Sequence, residues 1–278
     1  MKPTKLDKGF RVSRQQVIRA KKSLGQNFLV DQNIIEKIIS IVEIKDKCIL
    51  EVGPGTGNLT YKILEKLPKK LIVVEKDTNL VNLLRNNLES KIDIINKDIL
   101  KLDENLISKE KLIVFGNLPY NISTEILCKW ILNIKSHNFW FDCLILTFQK
   151  EVADRIISKF NSKNYGRLSI LSNWKLEIKK IIDIKPSSFN PKPKIDSTLL
   201  FFKPKEKFFK LKNAKNLEKI TRIFFMHKRK MIKKPYNLLF NGNMNVADKV
   251  GITLNLRPQN LDLETYFKIA KEYEKLRS

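Results

Sequence analysis

The stretch Leu50–Thr60, "LEVGPGTGNLT", decides the fold. The apolar run that leads into it, "KCILEVG" (Lys47–Gly53), has the length of a buried strand. The segment that leaves it, "NLTYKILEKL" (Asn58–Leu67), reads as a helix. Between them Gly53, Gly55 and Gly57 fall at every second position. Glycines at a strand-to-helix turn let the backbone take positive φ and approach a ligand closely. A purely structural tight turn is the rival reading of the same residues.

The pattern repeats outward from this turn. Asp31 is placed as an N-cap before "QNIIEKIISIVEI", with Ile34, Ile35, Ile38 and Val42 on one helical stripe. Downstream, "KLIVVEKD" reads as a second strand and "NLVNLLRNNL" as a second helix. "KIDIINKD" is a third strand, "KLIVFGN" a fourth, "STEILCKWIL" a helix and "FDCLILTFQ" a fifth strand. Strands written as continuous Val/Ile/Leu runs, alternating with helices, predict an α/β fold with a parallel sheet covered on both faces. From residue 181 the texture changes. "IKPSSFNPKPKIDSTLLFFKPK" is proline-rich and then strand-like, which suits a loop feeding an edge region. Beyond about residue 205 the pattern is helical and basic, and a last helix is expected to start at Asp262, with Leu261 and Tyr266 spaced for a hydrophobic staple. The expected organisation is a basic arm over residues 1–22, a main domain over 23–206 and a small helical domain over 207–278.

Charge narrows the function classes. The 278 residues carry a formal net charge of +25 and are 42% hydrophobic, so a core is expected and so is a polyanionic partner. Residues 1–22 hold eight Lys/Arg against one acid, Asp7, and residues 203–234 hold thirteen against Glu206 and Glu218. The core between them is only mildly basic, as in a catalytic unit flanked by two grips. The basic start reads as an RNA-seeking arm in preference to an organellar transit peptide. No apolar run approaches the ~20 residues that span a bilayer. Cys48, Cys128 and Cys143 lack metal-ligand spacing and read as reduced core residues of a cytoplasmic protein. With two histidines, His137 and His227, a His-based metal site is not expected.

The glycine spacing differs from the dinucleotide form G-x-G-x-x-G. With Glu51 two residues before the first glycine, it is the form associated with S-adenosylmethionine. Glu75 ends the second strand, where an acid can accept both ribose hydroxyls. Asp98 ends the third, where a carboxylate can accept from an exocyclic adenine amine. The fourth strand runs into Asn117-Leu118-Pro119-Tyr120, beyond a carboxyl strand end where such sheets bind ligands. An aromatic exocyclic amine is a poor nucleophile, because its lone pair is delocalised into the ring. Two neutral acceptors, the Asn117 side-chain oxygen and the Leu118 carbonyl, would hold its N–H groups and aim the lone pair at a methyl carbon. Pro119 fixes the turn, and Tyr120 is placed to stack on a base.

Taken with "KKSLGQNFLVDQNII", "VVEKD", "FGNLPYNIST", "QKEVADRI", "YGRLSI" and "SSFNPKPKIDSTL", the chain resembles the small-subunit ribosomal RNA adenine dimethyltransferases from about Lys21 to its end. The resemblance implies a Rossmann-like class I methyltransferase fold with a mostly parallel seven-stranded sheet, followed by a small all-α domain. It implies dimethylation of the N6 amines of two adjacent adenosines in the 3′-terminal hairpin of small-subunit rRNA, with S-adenosylmethionine as donor. The implied setting is a monomer acting in a pre-ribosomal 30S particle, with no metal and no membrane. By the same resemblance Gln26, Asn27, Leu29, Gly53, Gly55, Glu75, Lys76, Asp98, Ile99 and Asn117 are cofactor contacts alongside Glu51, and Phe189 sandwiches the target base opposite Tyr120. Arg222, Lys228, Arg229, Lys230 and Lys233 are candidate RNA contacts. Pro235, in "FFMHKRKMIKKPYNLL", is expected to end or kink the basic helix. The alternatives are a large-subunit rRNA adenine dimethyltransferase and a non-catalytic ribosome assembly factor on the same fold.

Overall fold

The computed structural model describes residues 20–88, 90–134 and 138–277; most of the expected N-terminal arm lies outside them. Five parallel strands form the centre: β2 (Cys48–Val52), β3 (Lys70–Glu75), β4 (Asp93–Asn96), β5 (Leu112–Gly116) and β6 (Phe141–Gln149). Two further strands, β7 (Leu176–Ile184) and β9 (Ser197–Pro204), complete seven in the order β4-β3-β2-β5-β6-β9-β7. β9 runs antiparallel to both of its neighbours. A short β1 (Phe28–Leu29) pairs separately with β8 (Phe189–Asn190).

Alternation within the strands explains the layering. Ile49, Leu71, Val73, Ile113 and Phe115 face one side, and there they meet Ile35 and Ile38 of α1 (Gln32–Ile39), Ile63 of α2 (Asn58–Glu65) and Leu84 of α3 (Thr78–Leu88). Leu50, Val52, Ile72, Val74 and Val114 face the other side, against Ile126, Leu127 and Trp130 of α4 (Ser123–Asn133). Both faces are covered, so β2 and β5 are buried at every residue. That is why these strands are apolar throughout.

On the α4 side the core runs on through α5 (Lys150–Ile156) and α6 (Arg167–Lys175) into helices that follow the last strand. These are α7 (Ala214–Phe225), α8 (Lys233–Phe240), α9 (Met244–Val250) and α10 (Leu263–Lys275). Asp262 caps α10 by accepting from the Thr265 amide, at the expected place. From α10, Glu274 accepts from the Lys212 and Asn213 amides at the head of α7. A carboxylate there complements the positive end of that helix.

Pro235 corrects the expectation for the basic segment. It neither ends nor kinks a helix already under way. α7 stops at Phe225, and Pro235 sits in the first turn of the new helix α8, at a position where no backbone N–H is needed. The intervening residues turn, and the Ile232 amide is held by the Leu256 carbonyl at 2.8 Å. Among the described residues no helix is long and apolar enough to cross a membrane.

Candidate active site

The strand order reverses between β2 and β5, and a cavity opens at the carboxyl ends of β2, β3 and β5. This is the switch point where open α/β sheets bind ligands. Of the fifteen residues expected in catalysis or cofactor binding, fourteen line this cavity; Phe189 does not.

The glycine loop leaves β2 with Gly53 at φ 69° and Gly55 at φ 58°, both left-handed. Gly55 is also pressed from above: a Cβ there would stand 2.7 Å from the ring of Phe28. A side chain at this position meets both backbone strain and a clash.

Three carboxylates surround the loop. Glu51 is 2% exposed and accepts from the Thr60 hydroxyl at 2.6 Å. Burial pushes its carboxyl up to about 8; the Thr60 hydrogen bond opposes this, and the charge of Glu75 adds to it. Glu75 accepts from the Asp77 amide at 2.9 Å and from the Gly55 amide at 3.4 Å, so it is oriented towards the loop. Burial raises its carboxyl too, against those amides. Asp98 behaves oppositely: its ion pair with Lys76, at 2.8 Å, and the Leu100 amide hold it below the usual range.

The Asn117–Tyr120 turn joins β5 to α4. The Asn117 amide nitrogen donates to the Asn27 main-chain carbonyl at 2.7 Å. A carbonyl can only accept, so this bond fixes the carboxamide with its nitrogen towards Asn27 and leaves the oxygen as the free acceptor. Pro119 closes the turn through its carbonyl, which accepts from the Ile122 amide. The Tyr120 hydroxyl meets Ser197 Oγ at 2.5 Å, which anchors the half-buried ring at the cavity wall.

The segment Lys21–Leu29 lies across this cavity. Gln26 Nε2 donates to Asp77 at 3.1 Å and Lys21 Nζ pairs with the same carboxylate at 2.7 Å. The Leu29 carbonyl accepts from Asn58 Nδ2 at 2.9 Å. Leu29 itself is buried and aligned with Phe189 across β1 and β8.

Two expectations are corrected here. The resemblance implies that Phe189 sandwiches the target base opposite Tyr120. Phe189 is 2% exposed, packs in the core beside Leu29 and Ile35, and does not reach the cavity. β8 turns its side chain inward because its backbone is paired with β1. Lys228 was expected on phosphate; its Nζ is already bound by the Lys163 and Tyr165 carbonyls at 2.6 and 2.7 Å. Burial lowers its ammonium from the ordinary lysine value. Arg222, Arg229, Lys230 and Lys233 are all exposed.

Several residues of the site were not singled out from sequence: Thr60, Asp77, Lys21, Phe28 and Ser197. All five lie inside motifs quoted above, and spacing alone does not tell a cap or strand residue from a site residue.

The chain as a whole is similar to known proteins. Residues 17–275 fit the family described as "Ribosomal RNA adenine dimethylase". A protein of Pelagibacter ubique named "Ribosomal RNA small subunit methyltransferase A" is 67% identical over 260 residues, covering 94% of this chain and 99% of its own. A protein of the same name from Wolbachia sp. subsp. Drosophila simulans is 39% identical over 262 residues, covering 93% of this chain and 95% of its own. Among solved structures, a dimethyladenosine transferase from Plasmodium falciparum aligns with a TM-score of 0.72 at 29% identity, covering 89% of this chain and 97% of its own. The 23S rRNA methyltransferase ErmE aligns at 0.63 and 21% identity over 91% of this chain and all of its own, which shows a shared fold. The chain therefore belongs to the ribosomal RNA adenine dimethylase family.

Proposed function

We propose that this enzyme transfers methyl groups from S-adenosylmethionine to the N6 amines of two adjacent adenosines in the 3′-terminal hairpin of small-subunit rRNA, as a monomer acting on a cytoplasmic pre-ribosomal 30S particle. The observation that carries the reading is the orientation of Asn117, whose amide nitrogen is taken by Asn27 and whose oxygen is left to accept.

The donor fits the residues present. Gly53 and Gly55 leave room for a main chain to approach it, and Glu75 holds two carboxylate oxygens towards a ribose. Leu80, Ile99 and Leu100 give an apolar wall for an adenine ring, and Asp98 stands at its edge. The donor supplies an electrophilic methyl group on a positively charged sulfur. Glu51, buried in the same cavity, is the carboxylate that a positive charge would ionise.

Asn117 Oδ1 and the Leu118 carbonyl accept the two N–H groups of the target adenine, which rotates the nitrogen lone pair out of conjugation and towards the methyl carbon. As the nitrogen–carbon bond forms and the methyl–sulfur bond breaks, leaving a neutral thioether, positive charge moves from the sulfur to the amine, and both acceptors stabilise it. The amine then loses a proton to solvent water. No strong base is required, because the methylated ammonium is acidic. Tyr120, braced by Ser197, offers an aromatic face to the base. The first methyl replaces one of the two N–H groups, so in the second transfer the amine has one N–H left to donate and only one of the two acceptors is engaged.

Residues 207–278, with Arg222, Arg229, Lys230 and Lys233 exposed, form the RNA-holding region, and the main domain over 23–206 carries the chemistry. The test is incubation with labelled S-adenosylmethionine and undermethylated small subunits, followed by mapping of the label. Label on two adjacent adenosines near the 3′ end supports the reading; label elsewhere or none, or label taken up only when large subunits are supplied instead, refutes it.

A further inference from the structure

Asp77 lies two residues beyond Glu75 and is 5% exposed, yet nothing in the chemistry above requires it. Its oxygens are unusually engaged. Oδ1 accepts from Lys21 Nζ at 2.7 Å and from the Asn79 amide at 3.1 Å, and Oδ2 accepts from Gln26 Nε2 at 3.1 Å. The Lys21 amide in turn donates to Gln26 Oε1 at 2.7 Å, closing a ring between the two. Burial alone would raise this carboxyl; the Lys21 and Gln26 bonds, with the Asn79 amide, hold it below the usual range.

The bond to Asn79 is ordinary, since an aspartate at the start of α3 caps the helix. A cap uses one lone pair of one oxygen. The remaining bonds go to a segment more than fifty residues away in sequence. That segment is the one that touches the acceptor corner. Gly25 takes φ 64°, and a Cβ there would stand 2.8 Å from Asn121 Oδ1. Asn27 Nδ2 donates to the Gly25 carbonyl, and the Asn27 carbonyl takes the Asn117 amide. Phe28 then lies on Gly55. From Asp77 to Asn117 the path is continuous: carboxylate, Gln26, the Asn27 carbonyl, the Asn117 carboxamide.

We propose that Asp77 is a positioning residue for methyl transfer: with Lys21 it latches the segment Lys21–Leu29 across the cavity, and so holds the Asn27 carbonyl where it orients the Asn117 carboxamide. The inference rests on the acceptor role given to Asn117 above. Without the latch the carboxamide is free to turn, and half of its orientations present N–H groups to an amine that needs an acceptor. Lys21 is nearly half exposed, so the pair is partly solvated and contributes more to geometry than to stability.

The test is a set of mutant cycles on the full-length enzyme, with labelled S-adenosylmethionine and undermethylated small subunits. Asp77→Asn preserves size and helix capping but cannot accept from both Lys21 and Gln26. Lys21→Met removes the other half of the latch without touching α3. Each is expected to lower single-turnover kcat about tenfold, with RNA affinity unchanged. The double variant should be little worse than either single one. The decisive arm uses Asn117→Ala as background: there Asp77→Asn should cost nothing further, because the group it positions is gone. Lys21→Met at the wild-type rate, or an undiminished loss from Asp77→Asn in the Asn117→Ala background, overturns the latch while leaving the acceptor role standing. Wild-type turnover by Asn117→Ala alone would overturn both. Melting temperatures of the variants separate the latch from the cap: a loss of rate that tracks loss of stability equally in Asp77→Asn and Asp77→Ala, with Lys21→Met silent, identifies a helix cap alone.

Discussion

The carboxyl ends of the parallel strands and the basic turn between α7 and α8 are the two regions on which function was placed, and they are built in opposite ways. At the strand ends the glycine loop, Glu51, Glu75, Asp98 and the Asn117 turn are fixed by a buried sheet. Glu51, Glu75, Asp98 and the Asn117 amide nitrogen are each held by a backbone group or a neighbour, and the Asn117 oxygen alone is left to accept. In the basic turn, Arg229 and Lys230 stand exposed on a short irregular connection and Lys233 at the first position of α8, while Lys228 has been drawn in to cap carbonyls of the Lys163–Tyr165 loop. The difference teaches that alignment of reacting atoms needs a rigid frame, whereas grip on a phosphate chain needs only charge within reach. Changes in the first region should therefore act on rate and donor affinity, and changes in the second on RNA affinity and its salt dependence.

The sharpest way to break that division is Gly55→Val. Strain at a left-handed position adds to a clash with Phe28, so donor binding should weaken by ~100-fold or more. Isothermal titration with S-adenosylhomocysteine reads it, and a near-normal affinity would mean that the loop is not the donor cradle. Next in size, neutralising Arg229, Lys230 and Lys233 together should reduce the slope of log K against log salt by roughly 2–3, with kcat at saturating RNA unchanged. A preserved slope would remove the turn from the RNA interface.

A third effect concerns pH. Glu51 has a folded-state value of about 8, raised from 4.5, so the native state keeps a proton that the unfolded chain releases. Its contribution to stability is full below about pH 4.5 and is lost as pH rises through about 8. Between those limits unfolding free energy should fall by about 1.4 kcal/mol per pH unit from this group. Denaturant melts of wild type and Glu51→Gln across that range should differ by this slope; parallel curves would place the ionised carboxylate in the fold. The smallest expected effect is that of Pro235→Ala. Because Pro235 occupies the first turn of α8, where no donor is needed, the change should move stability by under ~1 kcal/mol. A large loss would show that the proline sets the direction of the basic turn.

Much of the fold could be read from sequence because β2, β3, β5 and β6 are buried on both faces and so carry uninterrupted apolar runs. β7 could not, since "LEIKKIIDI" is an edge strand with exposed lysines, and its burial alternates irregularly. Within the site, residues on strand ends and the glycine loop were legible because local chain geometry dictates their types. The roles of Lys21, Asp77 and Ser197 were not, because each acts through a partner between roughly fifty and eighty residues distant. Phe189 misled for a related reason. Prolines announce a stiff loop, but which way the aromatic faces is decided by the pairing of β8 with β1, two residues long and without periodicity. Pro235 misled because a helix start and a helix stop carry the same residue, and only the break at Phe225 tells them apart.

The central claim is that the Asn117 oxygen holds the target amine. Single-turnover methyl transfer by Asn117→Ala, with donor and small subunits both saturating, tests it most directly. The account predicts a rate at least ~100-fold below wild type, with RNA affinity within twofold of normal. A wild-type rate constant from that variant would contradict it.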